Sequence, residues 1–171
     1  MPRNVEIKAR VADLPAVRAA ALAVGARPVW VREQTDRYYR LDGSRRLKLR
    51  SWPGGAELIR YERAEDHGVR PSDYEITPVR DEAAGVCLVP KGEPLVVVRK
   101  RRELLLVDNV RIHLDEVDGL GTFLELEAVL DQAHDEADAY AAVDRIMRAL
   151  GIVPVDLVRA SYAELLREAR A

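Results

Sequence analysis

The sequence is short of the residues from which several kinds of function are built. It has one cysteine, Cys87, among 171 residues. No disulfide can form within the chain and no zinc site can be made from cysteines, a usage that fits a reducing cytoplasm. No apolar run approaches the roughly 18 residues of a membrane span, and the first residues lack the apolar stretch of a signal peptide. Neither charge dominates: 27 Lys and Arg stand against 29 Asp and Glu. No global field therefore steers the chain toward nucleic acid or an anionic membrane, and anion binding has to come from local arrangement. A Walker-type or dinucleotide glycine loop is also missing, so phosphates would be held by side chains and not at a helix N-terminus. No repeat or low-complexity linker interrupts the chain, and residues 1–171 are expected to form one domain with its own core.

What is present is charge, in a pattern. Charged residues make up 33% of the chain, above the usual quarter. In the opening NVEIKAR, polar and apolar residues alternate, so a strand there puts Asn4, Glu6, Lys8 and Arg10 on one face. The period of two recurs over 29–41, 45–51, 56–63, 72–79, 94–101, 103–107, 110–117 and 122–130. Turn residues separate these runs, notably Asp42-Gly43, Pro53-Gly54-Gly55, Asp108-Asn109 and Asp118-Gly119. Eight or nine strands are expected, mostly hairpin-linked and therefore mostly antiparallel, in an α+β fold dominated by β-structure. Helices are expected after Asp13, with Pro15 in the first turn and Gly25 as the stop, after Asp135, in the tail SYAELLREA and, as a short piece, within 80–94.

The charges fall on one face of each strand. Arg46, Lys48 and Arg50 align in RLKLR; Arg111, His113 and Asp115 align in RIHLDEV; Glu125 and Glu127 align in TFLELEAVL. An antiparallel sheet with one side in water has such faces, and periodicity alone permits that. These faces, however, are almost wholly ionic and sorted by sign, and like charges two residues apart on a strand repel. A polyanion would supply the counter-charge to the basic strands, and divalent cations would supply it to the carboxylates. Mg²⁺ and Mn²⁺ take carboxylate oxygens and are completed by water and phosphate, while Lys and Arg bind phosphate oxygens through charge-assisted hydrogen bonds. The pattern suggests a site for a metal-bound polyphosphate. His113 reads either as a general base or as a structural histidine, and Tyr38, Tyr39, Tyr61 and Tyr74 either stack on a base or pack.

NVEIKAR, QTDRYYR, RLKLR, LIRYER, RPSDYEI, VVVRKRR, VRIHLDEVDGLGTFLELE and SYAELL, in that order, resemble the CYTH, or triphosphate tunnel metalloenzyme, superfamily, most closely its class IV adenylyl cyclase branch. The resemblance implies an eight-stranded antiparallel barrel closed into a tunnel, charged inside, with helices packed outside. It implies a divalent-metal-dependent enzyme, with Mg²⁺ or Mn²⁺, that converts ATP to cyclic AMP and pyrophosphate. The alternatives are hydrolysis of tripolyphosphate, thiamine triphosphate or nucleoside triphosphates, and a tunnel that binds without turnover. The partner is a small-molecule triphosphate, with neither nucleic acid nor membrane, and a homodimer is compatible. By resemblance, Glu6, Asp115, Glu125 and Glu127 are metal carboxylates; Lys8, Lys48, Arg50, Arg63, Lys100, Arg102 and Arg111 bind phosphate; and Lys8, Glu6 and Glu127 are essential to turnover. Asn4 stands where the opening ExExK signature has its first Glu, which keeps an oxygen ligand but removes one negative charge. Glu57, Arg60 and Glu75 are further candidates for inward positions.

Overall fold

The computed structural model describes residues 3–42, 45–63 and 70–170, with backbone alone at 40–42, 63 and 70–73. Gly43 of the Asp42-Gly43 turn therefore lies outside the described residues. The alternating segments form eight strands: β1 (Arg3–Arg10), β2 (Arg27–Asp42), β3 (Arg45–Trp52), β4 (Gly55–Arg63), β5 (Arg70–Val79), β6 (Val96–Val107), β7 (Val110–Val117) and β8 (Gly121–Val129). They close into a barrel in the order β1-β5-β4-β3-β2-β6-β7-β8, every pair antiparallel. Two meanders, β2 to β5 and β6 to β8, are thus joined side by side, and β1 completes the ring. Its pairing with β8 runs from Asn4 to Arg10, whereas its seam with β5 runs only from Arg3 to Glu6.

The segments 94–101 and 103–107, expected as separate strands, are one continuous β6. The ionic run from Arg99 to Glu103 looks like a break in the hydrophobic pattern. Lys100 and Arg102 are instead buried and Arg99 and Arg101 exposed, so the alternation continues through it. β6 and β7 are joined by a tight hairpin in which Val107 pairs with Val110 and Asp108 takes the left-handed backbone, φ 49°, that such two-residue loops require. Strand β2 carries irregularities in register between Pro28 and Trp30 and between Tyr38 and Arg40. Proline in a strand is tolerated at such a bulge.

Four helices pack around the ring: α1 (Leu14–Ala23), α2 (Glu82–Val86), α3 (Glu136–Ala149) and α4 (Tyr162–Glu168). Their starts follow the expected chemistry, since Asp13, Asp135 and Ser161 each accept a backbone N–H of the first turn, which satisfies a donor the helix itself cannot. The main apolar core lies outside the barrel. There α1 and α3 cover the outward residues Val5, Ile7, Ile112, Leu114, Leu124 and Leu126 with Val17, Ala21, Val143 and Ile146. A second cluster, Val96, Val98, Val117 and Phe123 with Tyr162, Ala163 and Leu166 of α4, sits on the inward face at one end of the barrel, so α4 closes that end. No helix among the described residues is long and apolar enough to cross a membrane.

Helix α2 lies so close to β3 that a Cβ built on Gly85 would come within 2.3 Å of Leu49 Cδ1, a residue with no exposed surface. Gly85→Ala is therefore expected to overpack this contact and destabilise the protein by about 1–3 kcal/mol, seen as a lower denaturation midpoint. An unchanged midpoint would mean that α2 is not anchored on Leu49.

Candidate active site

Because side chains alternate across each strand, one face of every strand points into the lumen. A cavity of about 350 Å³ there is lined by Asn4, Glu6 and Lys8 of β1, Lys48 and Arg50 of β3, Lys100 and Arg102 of β6, Arg111 and His113 of β7, and Glu125 and Glu127 of β8. The volume lies within the range of small-molecule sites. Ten of the expected site residues therefore share one enclosed space; the side chain of Arg63 lies outside the described residues. Glu57 also lines the cavity, whereas Arg60 and Glu75 face outward and pair with each other at 3.9 Å, both about half exposed.

The counter-charges expected from ligands are supplied in part by the protein. Asp36 of β2, 1% exposed, accepts from Lys48 at 3.0 Å, from Arg50 at 2.7 and 2.9 Å, and from Lys100 at 3.1 Å. Burial alone would raise its carboxyl, but the charges of Arg50, Lys100 and Lys48 hold it well below the usual carboxylate range. Asp36 escaped the sequence reading because both faces of the 29–41 segment carry polar residues, so parity there selects neither. The inward series Trp30, Arg32, Gln34, Asp36 and Tyr38 shows only once Lys100 is seen opposite Gln34 and Arg102 opposite Arg32.

A second ionic group surrounds Arg102. Its guanidinium donates to both oxygens of Asp115, at 2.7 and 2.5 Å, and to Glu125 at 2.5 Å. Glu125 also meets Lys8 at 2.9 Å. Burial would raise the Glu125 carboxyl, and the charges of Lys8 and Arg102 pull it far down. The Tyr162 hydroxyl of α4 donates to Asp115 at 2.7 Å, and its ring lies 4.1 Å from Lys8 Nζ, so the closing helix is wired to the charged lumen. Asp115, expected as a metal carboxylate, is fully buried and holds Arg102 with both oxygens. Arg102 is its direct partner across the β6–β7 pair.

The third group lies on β1, β7 and β8, where Glu6 and Arg111 both stand opposite Glu127 in register. Glu127 is 3.4 Å from His113 Nε2 and 3.6 Å from Arg111. Burial would raise its carboxyl, and the His113 charge, with others, brings it down to about 2. Asn4, on the same face of β1, is 3% exposed, and no described residue donates to its buried Oδ1. Among the described residues no three acidic or imidazole side chains converge as a ready-made metal cage. Two carboxylates side by side and a neighbouring amide oxygen with no donor do fit Mg²⁺ or Mn²⁺ held by few protein ligands and completed by water and phosphate.

A family model described as the CYTH domain matches residues 2–162. The chain belongs to the CYTH family. A Methanocaldococcus jannaschii protein provisionally named an adenylate cyclase is 34% identical over 68 residues, 40% of this CYTH chain. The match spans 39% of the length of that curated relative. The PH1012 protein of Pyrococcus horikoshii OT3 superposes with TM-score 0.84 at 23% identity, over 95% of this chain and 98% of that one. The HpAC1 protein of Hippeastrum, provisionally named an adenylyl cyclase and described as having a dominant triphosphatase activity, superposes with TM-score 0.66 at 15% identity over 97% and 96%. At these identities the structural likeness is one of fold. The eight-stranded tunnel barrel expected from the sequence is thus the fold of this CYTH chain.

The Asp36 group makes a stability prediction. Asp36→Asn leaves Lys48, Arg50 and Lys100 buried without their counter-charge, which should cost about 3–5 kcal/mol. Chemical denaturation would measure this loss, and added pyrophosphate should recover part of it by binding the folded state. A variant as stable as the parent would remove Asp36 from its place as counter-ion.

Lys100 makes a second, in pH. Burial and the Arg102 charge lower its ammonium to about 7 despite Asp36. A polyanion raises it again, so binding above neutrality takes up a proton, and affinity falls as pH rises through about 7. Calorimetric titration of tripolyphosphate at about pH 8, in buffers of different ionisation enthalpy, should give a buffer-dependent heat. A heat independent of buffer would contradict this.

Proposed function

We propose that this CYTH protein is a divalent-metal-dependent enzyme acting on a triphosphate in the barrel lumen, and that its reaction is cyclisation of ATP to cyclic AMP and pyrophosphate. One observation carries the reading. Lys8, Lys48, Arg50, Lys100 and Arg102 converge from three strands on one cavity, each held by a buried or half-buried carboxylate of the protein. Phosphoryl chemistry asks mainly for positioning and for stabilisation of charge on phosphate oxygens, and no covalent nucleophile is needed.

Lys48, Arg50 and Lys100 would donate their remaining N–H groups to phosphate oxygens while Asp36 still holds them in place, since one carboxylate does not neutralise three cations. Asp115 keeps the Arg102 fork in place while it donates, and Lys8 binds phosphate from the β1 side. Glu6, Glu127 and Asn4 would hold Mg²⁺ or Mn²⁺, which when bound supplies charge neutralisation and lowers the pKa of the attacking oxygen. In cyclisation the 3′ oxygen bonds to the α-phosphorus, its proton passes to solvent water and pyrophosphate departs with the electron pair of the broken α–β phosphoanhydride bond. If water meets the γ-phosphate instead, orthophosphate is released. The dominant triphosphatase activity in the description of HpAC1, which shares this fold, supports hydrolysis as the second reading.

Incubation with ATP under Mg²⁺ or Mn²⁺, following cyclic AMP, pyrophosphate and orthophosphate, separates the readings. Cyclic AMP with equal pyrophosphate is the expected result, orthophosphate without cyclic nucleotide means hydrolysis, and binding without product means a non-catalytic tunnel. Lys8→Ala and Glu127→Ala should each lower kcat/KM by about a hundredfold or more, the scale of losing one charge-stabilising group. Unchanged rates would remove both residues from the site.

A further inference from the structure

Lys8, Lys48, Arg50, Lys100, Arg102 and Arg111 each meet a carboxylate of the protein inside the lumen. Arg32 of β2 lines the same cavity and meets none among the described residues. Half-buried, it is held by rings instead: its guanidinium carbon lies 4.4 Å from the ring centroid of Trp30 and 4.8 Å from that of Trp52. Trp52 ends β3 directly opposite Gly55 of β4. A Cβ on Gly55 would come within 2.8 Å of the indole, so the ring takes the space that a side chain there would need. Across the β2–β6 pair Arg32 is directly opposite Arg102, and like charges so placed repel until a counter-charge is added. The charge of Arg102 is shared by Asp115 and Glu125. That of Arg32 is unshared among the described residues.

Stacking engages the faces of a guanidinium and leaves the N–H groups in its plane free to donate. A fork fixed in this way matches two oxygens of one phosphate. A free terminal phosphate presents three acceptor oxygens and about two negative charges, whereas an esterified or internal phosphate presents fewer of both. The cation whose charge no carboxylate shares gains most from the most highly charged group. We propose that Arg32 is a specificity residue that binds the free terminal phosphate of the substrate, with Trp30 and Trp52 as positioning residues that set its plane. The chain then takes triphosphates whose far end is unesterified and disfavours those capped there by a second organic group. This deepens the triphosphate reading and rests on it.

The test compares dissociation constants of ATP and its γ-phosphate methyl ester, each with Mg²⁺, by calorimetry on the full chain. The parent should prefer ATP by about tenfold or more, the scale of a hydrogen bond to a charged group. Arg32→Gln should weaken ATP by about tenfold and the ester by less than about twofold, so that the preference disappears. Its denaturation midpoint should stay close to the parent's, because no ion pair with a described residue is lost. Equal weakening of both ligands, or an unchanged preference, would overturn the proposal. Arg32→Lys keeps the charge without the planar fork and should restore little of the preference; full restoration would overturn the fork as its basis. Trp52→Leu leaves every charge in place and should lower the preference, while Trp52→Phe, which keeps an aromatic face, should retain most of it. Equal preference in these two variants would remove Trp52 from its positioning role. If the parent binds ATP and the ester alike, the Arg32 inference falls and the triphosphate reading stands; if it binds neither of them nor tripolyphosphate, both fall.

Discussion

The rest of this structure depends on the pairing of buried charge inside the ring. A barrel that turns its ionic faces inward takes them out of bulk water, and an unpaired charge there would cost far more than a small domain can bear. Asp36 answers Lys48, Arg50 and Lys100; Glu125 answers Lys8 and Arg102; Asp115 answers Arg102 again. Each carboxylate stands on a different strand from its cations, so the same contacts that neutralise the lumen also tie neighbouring strands together. Replacing such groups with well-packed hydrophobic residues is often neutral or stabilising in proteins, which points to binding and not stability as the reason for an ionic interior.

Outside the ring the physics is ordinary. The outward faces of β1, β7 and β8 bury their apolar residues under α1 and α3, and that core holds the strands whose other faces carry Lys8, Arg111, Glu125 and Glu127. The inner and outer faces of one strand thus have separate duties, a division that the period of two makes available. The closing helix α4 has a foot in both worlds. Leu166 and Ala163 pack in the apolar plug, Tyr162 bonds Asp115, and Glu164 pairs with Arg46 at 2.5 Å.

Much of this is legible in the sequence. Strict alternation in NVEIKAR, RLKLR and RIHLDEV identified strands and assigned the faces of β1, β3 and β7 correctly, because a shift of one residue would have put leucine and valine among the charges. The ordered motifs then pointed to the CYTH fold, and Asp13 and Asp135 marked helix starts. Two things were hidden. The role of Asp36 depends on which cations lie beside it, and Lys100 comes from 64 residues further along the chain. The continuity of β6 was masked because Arg99 to Glu103 is charged on both faces, Arg99 and Arg101 meeting water and Lys100 and Arg102 the lumen, and composition does not distinguish the two.

The ring closes through β1, the earliest strand of the chain, which pairs on one side with β8, the latest. Glu6 and Lys8 therefore meet Glu127 and Glu125 only after seven more strands have been laid down. Contacts between such distant parts of a chain carry a large loop-closure cost and form slowly. During synthesis the β2 to β5 meander can assemble early, with an open edge where β1 will dock, while the charges that work together at the end are still strangers. Maturation of the site and completion of the fold are, in this architecture, the same event.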